Sequence, residues 1–181
     1  ANGYPLQYIT NAQEFMGENF KVDENVLIPK PDTEVSVEAC IKLVKEANMN
    51  NVKVLDLCTG SGAIAISLKK FFDEANIRSD ISASDISIEA LRVADENAKA
   101  ILGKDVIKFM VSDLFDEINE KFDIIISNPP YIETGKIVYL DKDVQAEPHL
   151  ALDGGSDGLR FYRNIRFQVE KFLNKGGFVV L

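Results

Sequence analysis

Histidine is nearly missing from this 181-residue chain and cysteine is scarce: there is one His, His149, and there are two Cys, Cys40 and Cys58. The two thiols form no C-x-x-C pair and are too few for a disulfide framework, which points to a reduced, cytoplasmic setting. His149 has no Ser, Cys or metal-ligand partner at useful spacing, so no nucleophile–base pair and no metal centre are expected. It reads as a loop residue. Basic side chains are outnumbered, 20 against 29 acidic, for a formal net charge of −9. Nucleic acids are held largely by neutralising phosphates, so such a surface argues against a nucleic-acid partner. No apolar run approaches the ~18 residues that cross a bilayer. The polar start lacks a basic-then-apolar leader, and Ala1 fits a residue left over from a cloning tag. Repeats and low-complexity tracts are absent too.

What is present is a globular mixture, 46% hydrophobic and 27% charged. A chain of this length suits one domain and buries roughly two-thirds of its unfolded surface without a staple. Residues 1–50 read as a hairpin, a linker and a first helix, and residues 51–181 as the core. In the first part Phe15-Met16, Phe20, Val22 and Val26-Leu27-Ile28, broken by Gly17 and by Asp23-Glu24-Asn25, predict a hairpin or two short strands. Pro29-Lys30-Pro31 ends the extended run. Asp32 is the expected N-cap of a helix in which Val35, Ala39, Leu43 and Ala47 recur at helical spacing.

Beyond residue 51 strands alternate with helices. Strands are predicted over 52–57, 81–85, 106–111 and 122–127, and helices over 63–72 and 88–102. Ser87 is an N-cap candidate for the second of these helices, with Leu91, Ala94 and Ala98 on one face. Ile124-Ile125-Ile126 has the continuous apolar run of a strand covered on both sides. A last helix over 157–174 carries Leu159, Tyr162, Ile165, Val169 and Phe172 at three-to-four spacing, and Gly176 is placed to stop it before a fifth strand. This order predicts an α/β fold with a doubly wound, mainly parallel, Rossmann-like sheet. Such sheets bind ligands beyond the carboxyl ends of their strands, where strand order reverses. Residues 56–62, Asp85, Asp113 and Asn128-Pro129-Pro130-Tyr131 stand at those ends.

Gly60-Ser61-Gly62-Ala63-Ile64-Ala65 satisfies G-x-G-x-x-[GA], a nucleotide-binding pattern that also occurs as a plain tight turn. Here it follows a strand and opens a helix, and Asp85 ends the next strand, where a carboxylate can accept hydrogen bonds from ribose hydroxyls. Asp56 precedes the glycines. Beside a pyrophosphate it would repel; beside a cationic ligand it would help. Asp56, Asp85 and Asp113 are expected to ring the pocket with no Lys or Arg nearby. That favours S-adenosyl-L-methionine, a sulfonium with an adenosine and no phosphate, over NAD.

Asn128-Pro129-Pro130-Tyr131 follows the fourth strand. Two prolines make a good rigid turn, and they also remove two backbone donors while holding the neighbouring carbonyls still. The Asn128 side-chain oxygen and the Pro129 carbonyl can then both accept from one planar NH₂ group, with the Tyr131 ring offered for stacking. An amide or aryl amine is a poor nucleophile because its lone pair is delocalised. Two acceptors pulling on its hydrogens free that pair, and displacement at a sulfonium methyl then needs positioning more than a strong base.

With these motifs in place the chain resembles the bacterial release-factor glutamine methyltransferases along nearly its whole length. The likeness runs through Pro5-Leu6-Gln7-Tyr8-Ile9, Val26-Leu27-Ile28-Pro29-Lys30-Pro31-Asp32-Thr33-Glu34, the glycine loop, Ala83-Ser84-Asp85-Ile86-Ser87, Ser112-Asp113-Leu114-Phe115, the Asn-Pro-Pro-Tyr loop, and Glu147-Pro148 through Asp157-Gly158-Leu159. The resemblance implies an S-adenosylmethionine-dependent enzyme that methylates the side-chain amide of the glutamine in the Gly-Gly-Gln motif of peptide chain release factors. It implies that Cys58, Thr59, Gly60, Ser61 and Gly62 surround the methionine part of the cofactor. Asp85 would hold the ribose hydroxyls, Asp113 with Leu114 would recognise the adenine, and Ile86 would be a further cofactor contact. Asn128 and the Pro129 carbonyl would grip the substrate amide in a slot shaped by Pro130 and Tyr131.

Two positions depart from the family pattern: Cys58 stands where glycine is usual, and Lys30 where arginine is usual, which keeps the charge but loses a forked contact. A helical domain ahead of Tyr4 and strands beyond Leu181 belong to the resembling family, so this chain reads as its catalytic part, working as a monomer. An adenine methyltransferase acting on DNA, a ribosomal RNA base methyltransferase and an NAD-binding domain are the rival readings.

Overall fold

The computed structural model describes residues 3–181, so Ala1 lies outside it. The chain starts with a short helix, α1 (Leu6–Thr10), and a hairpin of β1 (Gln13–Phe15) and β2 (Glu18–Phe20). Met16 and Gly17 at its turn both have positive φ, 51° and 78°, as the right-handed twist of a two-residue hairpin favours. Helix α1 has no signature in the sequence, because five residues are too few to show periodicity. Val26-Leu27-Ile28 forms no strand, but Val26 and Ile28 are buried, and Val26 accepts a hydrogen bond from Tyr8 Oη at 2.6 Å.

Helix α2 (Pro31–Glu46) begins earlier than expected, with Lys30 rather than Asp32 at the N-cap and Pro31 in the first turn. Its buried face is Val37, Cys40, Ile41 and Val44, not the expected Val35, Ala39, Leu43 and Ala47. A pure i, i+4 row drifts around a 3.6-residue helix, and Val35 is left 64% exposed.

The core follows as β3 (Asn51–Leu57), α3 (Ala63–Glu74), β4 (Arg78–Asp85), α4 (Ile88–Leu102), β5 (Ile107–Val111) and β6 (Phe122–Ser127). Short helices α5 (Lys142–Gln145) and α6 (His149–Leu152) precede α7 (Arg160–Gln168) and β7 (Leu173–Val180). Ser87 caps α4, accepting from the Ala90 amide at 3.2 Å, and Leu91, Ala94 and Ala98 are buried. The last helix is shorter than expected. It passes into a single 3-10 turn at 169–171, and its buried residues are Phe161, Ile165 and Val169, whereas Leu159 is exposed. Gly176 does not stop it. It lies inside β7 at φ 81°, in a bulge where Phe122 pairs with Leu173 but Ile124 pairs with Phe178.

The five long strands pair in parallel in the order β5-β4-β3-β6-β7. Order reverses between β3 and β6, so a crevice is expected past Leu57 and Ser127. Side chains alternate across the sheet. Val52, Val54, Ile81, Ala83, Ile124 and Ile126 face α2, α3 and α4, while Leu55, Leu57 and Ile125 face α7 and the turn at 114–118. Burying each of the Val, Leu and Ile side chains contributes about 1.5–3 kcal/mol and makes the sheet a rigid platform. No helix of the described residues is long and apolar enough to cross a membrane, and no cluster of three metal-ligating side chains occurs among them.

Candidate active site

The loops after β3, β4, β5 and β6 meet around a cavity of about 250 Å³. Cys58, Gly60, Asp85, Ile86, Asp113, Leu114, Asn128 and Pro130 border it, so most of the residues singled out in the sequence converge. A narrower cavity of about 50 Å³ adjoins it, sharing Cys58, Gly60 and Asn128 and adding Thr33, Thr59 and Ser61. Ser127 holds the switch point together: its Oγ donates to the Leu57 carbonyl at 2.6 Å.

Asp85 is tied into the glycine loop. Its Oδ2 accepts from the Gly60 amide and its Oδ1 from the Ser87 amide, both at 2.9 Å. Burial pushes its pKa up, partly offset by these amide bonds. Leu114 has φ 47°, a left-handed conformation that disfavours a bulky side chain, and Ser112 Oγ steadies the turn by donating to its carbonyl at 2.9 Å. Cys58 also has a left-handed backbone, φ 58°. A side chain is tolerated there at some cost in strain. Burial and the nearby Asp85 push its thiol up to about 12.

Several expectations need correction. Asp56 borders neither cavity. Strand alternation turns it toward α3, where its Oδ2 accepts from Thr59 Oγ1 at 2.6 Å and from the Ala65 amide at 3.2 Å, and its Oδ1 has no partner. Gly62 borders neither cavity and opens α3. Pro129 is buried and also borders neither. Tyr131 is 55% exposed and lines a separate, open groove with Leu159 and Tyr162, away from the main cavity. Nor is the cavity free of cations, because Arg160 lies on its wall. His149 is exposed on α6, outside both cavities.

Other walls have no signal in the sequence. Glu24 to Leu27 covers one side, and Pro148, Leu150 and Ala151 the other. Both segments are loop or single-turn structure, without periodicity that would place them over a site. Their link is Glu147, which is buried. Its Oε2 accepts from the Ile28 amide at 2.8 Å and its Oε1 from Lys30 Nζ at 2.6 Å. Asn97 of α4 does similar work below, donating to the carbonyls of Ser61 and Lys21 and accepting from the Lys21 amide. The stretch from Gly154 to Gly158 packs under the Asn-Pro-Pro-Tyr loop so closely that a Cβ on Gly158 would sit 2.4 Å from the Tyr131 carbonyl.

Residues 37–155 match the family model of the methyltransferase small domain. The chain belongs to this family. It is 44% identical to a release factor glutamine methyltransferase of Clostridium acetobutylicum, a match covering 97% of this chain and 61% of that protein. It is 36% identical to a ribosomal protein uL3 glutamine methyltransferase of Francisella tularensis, covering 98% and 55% respectively. The chain therefore spans about three-fifths of the length of the curated relatives it matches. Among solved structures it is similar to a methyltransferase from Pyrococcus furiosus, with TM-score 0.61 and 20% identity over 90% of this chain and 68% of that one. At that identity the likeness shows the shared fold.

Proposed function

We propose that the protein is an S-adenosyl-L-methionine-dependent methyltransferase acting on the side-chain amide of a glutamine, in the Gly-Gly-Gln motif of peptide chain release factors. The observation that carries this reading is Asn128. It follows β6 at the switch point, faces the junction of the two cavities beside Cys58 and Gly60, and has its Nδ2 bonded to Thr33 Oγ1. Its carboxamide oxygen is thus the free end, an acceptor suited to an NH₂ group. The relatives named above supply the substrate class, a glutamine in a protein of the translation apparatus.

The cavity suits the cofactor. It offers an acidic group at Asp85, apolar walls at Ile86, Leu114 and Phe161, and the glycine loop where it meets the narrower cavity. Asp85 would hold the ribose hydroxyls, Ile86 and Leu114 would flank the adenine with Asp113 at its edge, and residues 58–61 would take the amino-acid end. When bound, the cofactor supplies a methyl group on a positively charged sulfur. The Asn128 side-chain oxygen would accept from the substrate NH₂ and help draw the nitrogen lone pair out of conjugation. The methyl group of the bound cofactor would pass to that nitrogen, which would release one proton, and the residues around it would supply position and charge rather than a base. Pro130 keeps the loop rigid through this exchange.

Mass spectrometry of a purified release factor after incubation with the protein and cofactor tests the reading. A single CH₂ increment on the Gly-Gly-Gln glutamine is expected. An increment on ribosomal protein uL3 alone would move the substrate within the same chemistry. Labelled methyl appearing only on duplex DNA or ribosomal RNA would overturn it.

A further inference from the structure

Thr33 stands in the first turn of α2, and its Oγ1 accepts a hydrogen bond of 3.0 Å from Asn128 Nδ2, 95 residues later. It is the one side-chain hydrogen bond of Asn128 among the described residues. A carboxamide has two ends of opposite chemistry, an NH₂ that only donates and an oxygen that only accepts, and its terminal torsion is broad and roughly two-fold. An unanchored Asn at this position would spend part of its time presenting donors to a substrate NH₂, which is itself a donor. Two donors facing each other make no bond.

The hydroxyl that anchors this carboxamide is itself held firmly. Threonine is stiff at χ1. The Thr33 amide donates to the Lys30 carbonyl at 3.0 Å, and Lys30 is paired with Glu147. One residue on, Glu34 Oε1 accepts from the Met16 amide at 2.7 Å. The turn carrying Thr33 is therefore pinned to the far side of the cavity on one flank and to the hairpin on the other. Thr33 and Asn128 both border the narrower cavity.

We propose that Thr33 is a positioning residue: its hydroxyl anchors the Asn128 carboxamide at its nitrogen end and fixes the plane of the group, leaving the oxygen end to meet the reacting amide. This rests on the glutamine-methyltransferase reading of the site. Thr33→Val keeps the shape and removes the hydroxyl, and Thr33→Ser keeps the hydroxyl. With a release factor as substrate, Thr33→Val is expected to lower kcat about tenfold, with cofactor affinity and melting temperature close to those of the parent. Thr33→Ser should recover most of the rate. A second readout needs no turnover. The Asn128 side-chain NH₂ resonances should be protected from hydrogen exchange in the parent and the Ser variant and lose that protection in the Val variant.

Equal kcat in the parent and Thr33→Val, or equal losses in Val and Ser, would overturn the proposal. So would unchanged Asn128 NH₂ protection in the Val variant. A parent protein that binds cofactor but methylates no glutamine would instead overturn the reading beneath it, and would show in the parent before any variant is compared.

Discussion

Lys30 and Glu147 meet at 2.6 Å although 117 residues separate them, and the other carboxylate oxygen of Glu147 is already taken by the Ile28 amide. The backbone amide holds one oxygen and the lysine the other, so both carboxylate oxygens of this buried side chain have a partner. The pair joins the two segments that wall the larger cavity.

The cost of breaking this pair should depend on which charge is left behind. Glu147 is 4% exposed, so Lys30→Met strands a buried carboxylate and is expected to cost about 2–4 kcal/mol in urea unfolding. Adding Glu147→Gln should recover much of that loss, because a neutral amide oxygen still accepts from Ile28. A double variant no more stable than Lys30→Met would show that the stranded charge is not the cost.

Asn128→Ala removes the acceptor while leaving Asp85 and the glycine loop in place. Methyl transfer is expected to fall at least ~100-fold, the scale for losing one preorganised polar contact at a reacting centre. Calorimetry should find cofactor affinity changed by no more than about threefold. Loss of both would show that Asn128 supports the fold and not the reaction.

Asp56 makes stability depend on pH. Burial raises its folded-state pKa from 3.8 to about 7, so the native state binds a proton that the unfolded chain has already released between those values. Stability from this group is full below about pH 4 and declines as pH rises toward 7, on the order of 2–4 kcal/mol in all. Asp56→Asn is neutral throughout, so it should melt higher than the parent at pH 8 and lose that advantage at pH 4. A gap that does not change with pH would contradict the burial argument.

The two glycines of the loop should fail differently. Gly62 has φ 82°, and a Cβ there would lie 2.8 Å from Ile66 Cδ1 and 3.3 Å from the Ala94 Cα, so Gly62→Ala is expected to cost about 2–3 kcal/mol of stability. Gly60 has φ 55° and borders the cavity, and a Cβ there would meet nothing within 4 Å. Gly60→Ala should cost only about 1–2 kcal/mol and weaken cofactor binding instead. Denaturation midpoints and calorimetry on both variants separate the two effects.

Elements are legible in the sequence where local chemistry is strong. Ile124-Ile125-Ile126 marks a strand buried on both faces, Ser87 marks the start of α4, and Gly60 and Gly62 mark a strand-to-helix turn. The helix faces are less legible. Val35 and Val37 are equally apolar, and which of them is buried depends on where the hairpin and α3 lie.

The sequence by itself determined the alternation of strands and helices, the loops at the strand ends, and the polar and turn residues that stand in them. The tertiary structure decided their partners. It turned Asp56 away from the cavity and Tyr131 onto an outer groove, put Arg160 on the cavity wall, and joined Thr33 to Asn128 and Lys30 to Glu147. The reason is physical. Periodicity and turn propensity act over a few residues, whereas hydrogen bonds spanning 95 or 117 residues exist only after the sheet has brought those segments together.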